Sequence, residues 1–467
     1  MKQEHKKISL LLITLVVSLG GFLFGFDMAV ISGVLPLVKN QFVLSAAREG
    51  WFVASALVGC IIGVALSGEL SDRIGRKKPL LLAAILFMVS AAGCALMPSL
   101  SGVIAFRLLG GIGIGIASNV VPLYISEIAP PQSRGRLVTY YQFAITLGIL
   151  IAYLSNAGLV ATTGQEAAGE LTWRLMFGAG VVPALLFFAG LFLVPESPRW
   201  LFQKGRHEEG YLITSRIAGE PVVVLPAIQV SQESPKKASY RELWAPGMRK
   251  ALLIGIFLPF FSQFSGINAI IYYGPSILSN AGISLSNSLL SQVIFGLANM
   301  LFTLIAIWKV DSWGRRPLYL FGTIGAAITL VLTGLCFHYG ATQSIWLLVL
   351  VLAFLACFAF SIGPLKFVVA SEIFPNAIRG RAMAICIMVM WVADTIVGQL
   401  TPMLLKAVGS SGTFWFFAFF CILAFLFVYR FLPETKGRSL EQIEADWKKE
   451  GIEAGKQSVA NEHVSLH

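Results

Sequence analysis

The chain alternates between long apolar stretches and short polar ones, and the apolar stretches have the length of a membrane crossing. About 20 predominantly apolar residues carry a helix across a hydrocarbon core roughly 30 Å thick. Twelve segments meet that requirement, near 9–36, 51–70, 79–97, 101–125, 137–160, 175–194, 251–280, 288–309, 317–338, 345–371, 382–406 and 413–432. Backbone N–H and C=O groups in lipid find no water, so each segment must satisfy them internally, and an all-α integral membrane bundle is predicted. The first segment exceeds a signal-peptide core, lacks a small-residue cleavage pattern and runs into Pro36, so it is expected to be retained. Gly363–Pro364 interrupts the tenth segment; proline removes a helix hydrogen bond and clashes with the preceding turn, which predicts a break there.

The polar connections repeat. SDRIGRK at 71–77 is answered by VDSWGRR at 310–316, YISEIAPPQSRGR at 124–136 by VASEIFPNAIRGR at 369–381, and PESPRWL at 195–201 by PETKGRS at 433–439. The offsets from Asp72 to Asp311, Glu127 to Glu372 and Pro195 to Pro433 are 239, 245 and 238 residues. Three pairs in one order at nearly one offset predict two pseudo-symmetric six-helix halves, 1–194 and 251–432. A cytoplasmic linker with short helices, 195–250, joins them, and a polar tail, 433–467, follows. Many secondary transporters are duplicated in this way, with the substrate site at mid-membrane between the halves.

Composition and charge orient this bundle. Of the 467 residues 56% are hydrophobic and 13% charged, against about 25% charged in soluble domains. Among 35 Lys and Arg, only Lys39, Arg48, Arg174 and Lys406 fall on one side and Arg107 and Lys366 within spans; the other 29 lie on the side of the termini. Basic loops stay in the cytoplasm, so both termini are expected inside a multi-pass protein of the plasma (inner) membrane. The net charge of +11 then faces anionic lipid headgroups and calls for no nucleic acid. The absence of an Asn-x-Ser/Thr sequon accords with a bacterial inner membrane.

The six cysteines lie in apolar spans without a C-x-x-C pair, reading as small hydrophobes rather than disulfides or metal ligands. With five scattered histidines, no metal and no cofactor is expected beyond a coupling proton. No G-x-x-x-x-G-K-[ST] loop is present, so a gradient rather than ATP is the expected drive. GGIGIGIAS at 110–118 follows no strand and reads as close helix packing. Neither G-x-S-x-G nor H-E-x-x-H occurs, which disfavours a membrane enzyme, and a tail of about 35 residues is short for a sensor.

Four ionisable residues lie deep in spans: Asp27, Arg107, Lys366 and Asp394. Charge there is costly and marks function by default. At the loops, Asp72 with Arg76, Glu127 with Arg134, Asp311 with Arg315 and Glu372 with Arg379 pair acid and base. Exposed pairs contribute only ~0–1 kcal/mol each, but the matched acids in both halves favour salt bridges that lock a cytoplasmic gate.

GFDMAVISG at 25–33, the doubled D-x-x-G-R-[RK] loops, PESPRW, QFSGINAIIYYGP at 263–275 and PETKGR stand in one order. Together they make the chain resemble the sugar porter family of the major facilitator superfamily, from about residue 15 to 445. The resemblance implies twelve helices moving sugars or cyclitols by alternating access. It implies that Asp27 is the proton-coupling residue with Arg107 near it: beside the guanidinium the acid ionises, and parted from it takes a proton. It further implies sugar-binding roles for Gln142, Gln263, Asn268, Asn299 and Trp391, with Tyr272 and Tyr273 near the outer gate and Phe24 helping to close the site. Amides donate and accept hydrogen bonds, as sugar hydroxyls require, although Asn and Gln also bond helices to each other.

The chain departs from the family pattern in three places. Ser262 replaces the first of two glutamines, Phe367 replaces a tryptophan with Lys366 just before it, and Asp394 replaces an asparagine. These count among the substrate-contacting positions and reshape the pocket. Lys366 and Asp394 either pair with each other, or Lys366 meets an anionic substrate group such as a uronate. The expected function is proton-coupled symport of a monosaccharide (pentose or hexose) or related polyol by a single chain. A proton-independent facilitator, a carrier of anionic sugars and a sugar sensor are the alternatives.

Overall fold

Each apolar stretch becomes a helix whose ends are fixed by local chemistry. The computed structural model describes residues 9–130, 134–164, 169–218, 244, 248–280, 282–341, 345–374, 378–436 and 442. The first half contains α1 (Leu10–Phe42), α2 (Ala46–Ile74), α3 (Lys77–Leu96), α4 (Leu100–Ile128), α5 (Arg134–Thr163), α6 (Glu170–Gly178) and α7 (Val181–Leu191). Two short helices, α8 (Pro198–Gln203) and α9 (His207–Ala218), follow it. The second half contains α10 (Arg249–Phe264), α11 (Ile267–Asn280), α12 (Leu285–Trp313), α13 (Arg315–His338), α14 (Ile345–Cys357), α15 (Gly363–Ile373) and α16 (Arg379–Phe431). Ser9, Ser45, Ser99 and Ser284 start α1, α2, α4 and α12 by accepting the backbone N–H three residues on. Such caps are worth about 1 kcal/mol each.

Among the described residues eleven helical stretches are long and apolar enough to cross a membrane. The last, α16, has 53 residues and would reach about 80 Å if straight, far more than one crossing. Gly409, at φ 69° and ψ −178°, breaks it into two arms, which restores the twelve spans. The loop expected at 407–412 is therefore a single non-helical glycine.

Three spans are interrupted. The sixth is split into α6 and α7 around Ala179–Gly180. The seventh is split at Ser265–Gly266, where Gly266 has φ +86° and its missing side chain leaves room for the Phe417 ring, 2.6 Å from where a Cβ would stand. In the tenth, a π-helical turn, Phe358–Ile362, precedes Gly363–Pro364. Pro364 displaces the carbonyls of the turn before it, so the irregularity falls one turn ahead of the proline.

Small residues set the closest contacts. A Cβ on Gly111 would overlap the Ala56 carbonyl oxygen, one on Gly115 that of Cys60, and one on Gly63 that of Ile112, so α2 and α4 touch backbone to backbone. This is the role of the glycine-rich run in α4.

The two halves meet where α2 packs on α16, α5 on α12 and α1 on α11. Among the described residues two hydrogen bonds cross this seam, Gln399 Nε2 to the Ala47 carbonyl at 3.0 Å and Tyr153 to the Ile271 carbonyl at 3.3 Å, and the Tyr272 hydroxyl lies 3.1 Å from Met28 Sδ. The first two lie toward the end of the bundle away from the basic loops, and the third lies beside Asp27 near the middle of α1. The six cysteines are unbridged; four are buried and Cys336 and Cys357 are half-buried. Gly111→Val should force α2 and α4 apart and cost about 1–3 kcal/mol, read as a lowered Tm in detergent. Gly68→Ala, which meets nothing within 4 Å, should leave Tm within experimental scatter.

Candidate functional site

In the first half the two intramembrane charges stand close but apart. Arg107 on α4 is buried; its Nε donates to the Phe52 carbonyl at 2.9 Å, and its guanidinium lies 5.2 Å from the Phe52 ring and 5.7 Å from the Phe177 ring. Nη1 has no hydrogen-bond partner. Asp27 on α1 faces a small cavity lined by Phe26, Phe87, Ser90 and Phe177. That cavity leaves about 20 Å³ for the centres of water molecules, enough for one or two. Among the described residues no ion pair within 4 Å joins Asp27 to Arg107. The expected neighbours are thus seen with their contact open.

The second half gathers polar groups around the break between α10 and α11. Asn268 and Tyr272, one helical turn apart and so on one face of α11, both reach Asp394 on α16. Asn268 Nδ2 donates to Oδ1 at 2.6 Å and the Tyr272 hydroxyl to Oδ2 at 3.0 Å. Tyr273 donates to the Gly398 carbonyl at 2.6 Å. Lys366 on α15 is not paired with Asp394: its Nζ bonds Ser262 Oγ at 3.0 Å and lies 5.1 Å from the Phe367 ring. Asp394 already has two donors, so its demand for a counter-charge is met by neutral groups. Gln263 and Asn299 are buried, and Gln142 is half-buried. Trp391 is buried with its indole N–H unpaired, and Phe24 of the other half lies 5.2 Å from it.

At the basic face, two matching clamps appear. Arg76, at the start of α3, binds Glu127 of α4 through Nη2 at 2.8 Å and Nε at 3.0 Å, with both side chains at most 4% exposed. Ser197 donates to the same Glu127 at 2.6 Å, while Glu196 accepts the backbone N–H of Arg76 at 2.8 Å. In the second half Arg315 binds Glu372 at 2.9 Å, Thr435 donates to Glu372 at 2.6 Å, and Glu434 accepts the N–H groups of Arg315 at 3.0 Å and Arg316 at 3.1 Å. Each of these ion pairs joins two helices of one half. Asp72, mostly exposed, lies 3.1 Å from Arg76. The side chains of Arg134, Asp311 and Arg379 lie outside the described residues.

Comparison with known proteins places these features. A family model described as "Sugar (and other) transporter" matches residues 13–447. The chain belongs to this family. Its relatives include the arabinose-proton symporter of Bacillus subtilis (strain 168), 41% identical over 449 residues, which cover 96% of this chain and 97% of that protein. The D-xylose-proton symporter of Escherichia coli (strain K12) is 39% identical over 485 aligned positions, covering 96% and 98%. In structure the chain is similar to the partially occluded inward open conformation of the xylose transporter XylE from E. coli, with a TM-score of 0.80 and 37% identity over 92% of this chain and 99% of that one. Its fold is that of the major facilitator sugar porters, and the family consists of carriers rather than enzymes.

Within this family fold, one polar residue escaped the sequence. Gln292 on α12 is fully buried, packs against Gly274 of α11, and neither amide atom has a partner. Its place seven residues before Asn299, two turns along one helix face, was the available signal.

The clamps carry a testable pH dependence. Burial works against the Glu434 charge, but the N–H groups of Lys436, Arg315, Arg316 and Thr435 outweigh it and hold the carboxyl below its ordinary value of 4.5. A group lowered in the folded state contributes stability above its unfolded value and loses it as pH falls through the folded one. The Tm advantage of the native chain over Glu434→Gln should therefore be full at pH 7 and shrink below about pH 4.5, measured by thermal melts in detergent.

Proposed function

We propose that this chain is a proton-coupled symporter of a monosaccharide or related polyol, working by alternating access as a single chain. In this reading the basic face and both termini are cytoplasmic, in the plasma membrane of a bacterial cell. The observation that carries it is the open contact between Asp27 and Arg107. A carboxylate beside a guanidinium is favoured as the anion, and one parted from it among apolar side chains is favoured as the neutral acid. Arg107 has alternative partners in the Phe52 carbonyl and two phenyl faces, so it can release Asp27 without being left bare. The cavity in front of Asp27 gives a water molecule a place from which to deliver or remove the proton.

The coupling follows from the packing. Asp27 sits on α1, which meets α11, the half-helix carrying Asn268 and Tyr272. Closure of the acid onto Arg107 takes place within the first half, and α1 passes the change to α11, where sugar hydroxyls seat on Asn268 beside Gln263 with Gln142 and Asn299. Phe24 and Trp391, in contact across the seam, are placed to cover an apolar sugar face. The contacts closed on the side away from the basic loops support a conformation open toward the cytoplasm. The names of the relatives, both proton symporters of pentoses, support the substrate class and the coupling ion. One charge crossing 100 mV is worth about 2.3 kcal/mol, roughly a fifty-fold concentration ratio, so one proton per sugar is sufficient.

Asp27→Asn should abolish accumulation of sugar against its gradient while preserving exchange of labelled for unlabelled sugar across the membrane. The measurement is uptake and counterflow in proteoliposomes with an inward proton gradient. A variant that still concentrates substrate would remove Asp27 from the coupling step.

A further inference from the structure

Lys366 is a cation with spare bonding capacity. It is 7% exposed, deep in the tenth span, and an ammonium has three N–H donors. Ser262 takes one at 3.0 Å, and the rings of Phe367 and Phe358, at 5.1 and 6.0 Å, offer their faces to the charge. No carboxylate lies within 4 Å among the described residues. Asp394 acts on it only over a longer distance, because both Asp394 oxygens are engaged by Asn268 and Tyr272. A buried ammonium held by a single hydroxyl is short of acceptors, and the missing partner is an anion.

The position of the ammonium matters as much as its charge. Ser262 adjoins Gln263 on α10 and stands where the family pattern places a sugar-binding glutamine. Phe367 stands where that pattern has a tryptophan. Lys366 Nζ thus bonds the residue that immediately precedes Gln263 in the chain. From this geometry we infer that the substrate is an acidic monosaccharide, of the hexuronate class, whose carboxylate seats on Lys366 while Gln263 and Asn299 take its hydroxyls. The inference rests on the symport reading above and narrows its substrate.

Charge balance gives a test independent of any mutation. A neutral sugar with one proton moves one net positive charge, so its accumulation changes about fifty-fold per 100 mV. A uronate anion with one proton moves none, and its accumulation should follow the pH gradient and ignore the potential. The experiment uses the full chain in proteoliposomes with D-glucuronate and D-galacturonate against D-glucose, D-xylose and myo-inositol, with pH gradient and potassium diffusion potential set separately. Uronates should accumulate at about ten-fold lower half-saturating concentration than the neutral compounds and be unaffected by a 100 mV change. Lys366→Met should raise the uronate half-saturation about ten-fold or more, and Lys366→Arg should recover most of it. Accumulation of neutral sugars without transport or competition by uronates would overturn the charge assignment alone. Accumulation of neither class would overturn the symport reading together with it.

Discussion

A charge inside the hydrocarbon thickness has no solvent, so the protein must supply everything that stabilises it. The four intramembrane charges of this carrier are held in four different ways. Arg107 has a carbonyl and two aromatic faces, and Asp394 has two donors from one face of α11. Lys366 has one hydroxyl, and Asp27 faces a cavity of water size. The completeness of each shell sorts them. Asp394 is fully occupied by neighbours and ties a half-helix to α16, whereas Asp27 and Lys366 are under-occupied and so able to exchange partners.

The sequence carried most of the fold because lipid leaves few choices. Hydropathy marked the spans, and serine caps and glycine ends set their limits. It did not reveal the interruption of the seventh span. Gly266 lies between Ser265 and Ile267 in a span whose hydropathy shows no gap, and its left-handed conformation goes with the close approach of Phe417, 151 positions further along. The tenth-span irregularity was legible from Pro364, though displaced by a turn.

The candidate site was legible as a set of positions but not as a set of contacts. Asp27 and Arg107 were recognisable as lone charges in apolar helices; their open contact depends on how α1 and α4 pack within the first half, which no residue type encodes. The expectation of a Lys366–Asp394 pair treated the two as opposite charges on adjacent helices. It could not see that Asn268 and Tyr272 reach the carboxylate first. The doubled loop motifs were legible as repetition, and their purpose is local. Gly75 (φ +96°) and Gly314 (φ +89°) leave space in which Glu196 and Glu434 reach the backbone N–H groups that begin α3 and α13. Carboxylates are favoured at that end of a helix.

Each of the ion pairs in those clamps joins two helices of a single bundle, so both act as braces within a bundle. Arg76 with Glu127 and Arg315 with Glu372 tie the start of one helix to the end of another at the basic loops, which stiffens each bundle there. Whatever moves at mid-membrane, these braces leave the helix ends at the basic loops fixed to one another within each bundle.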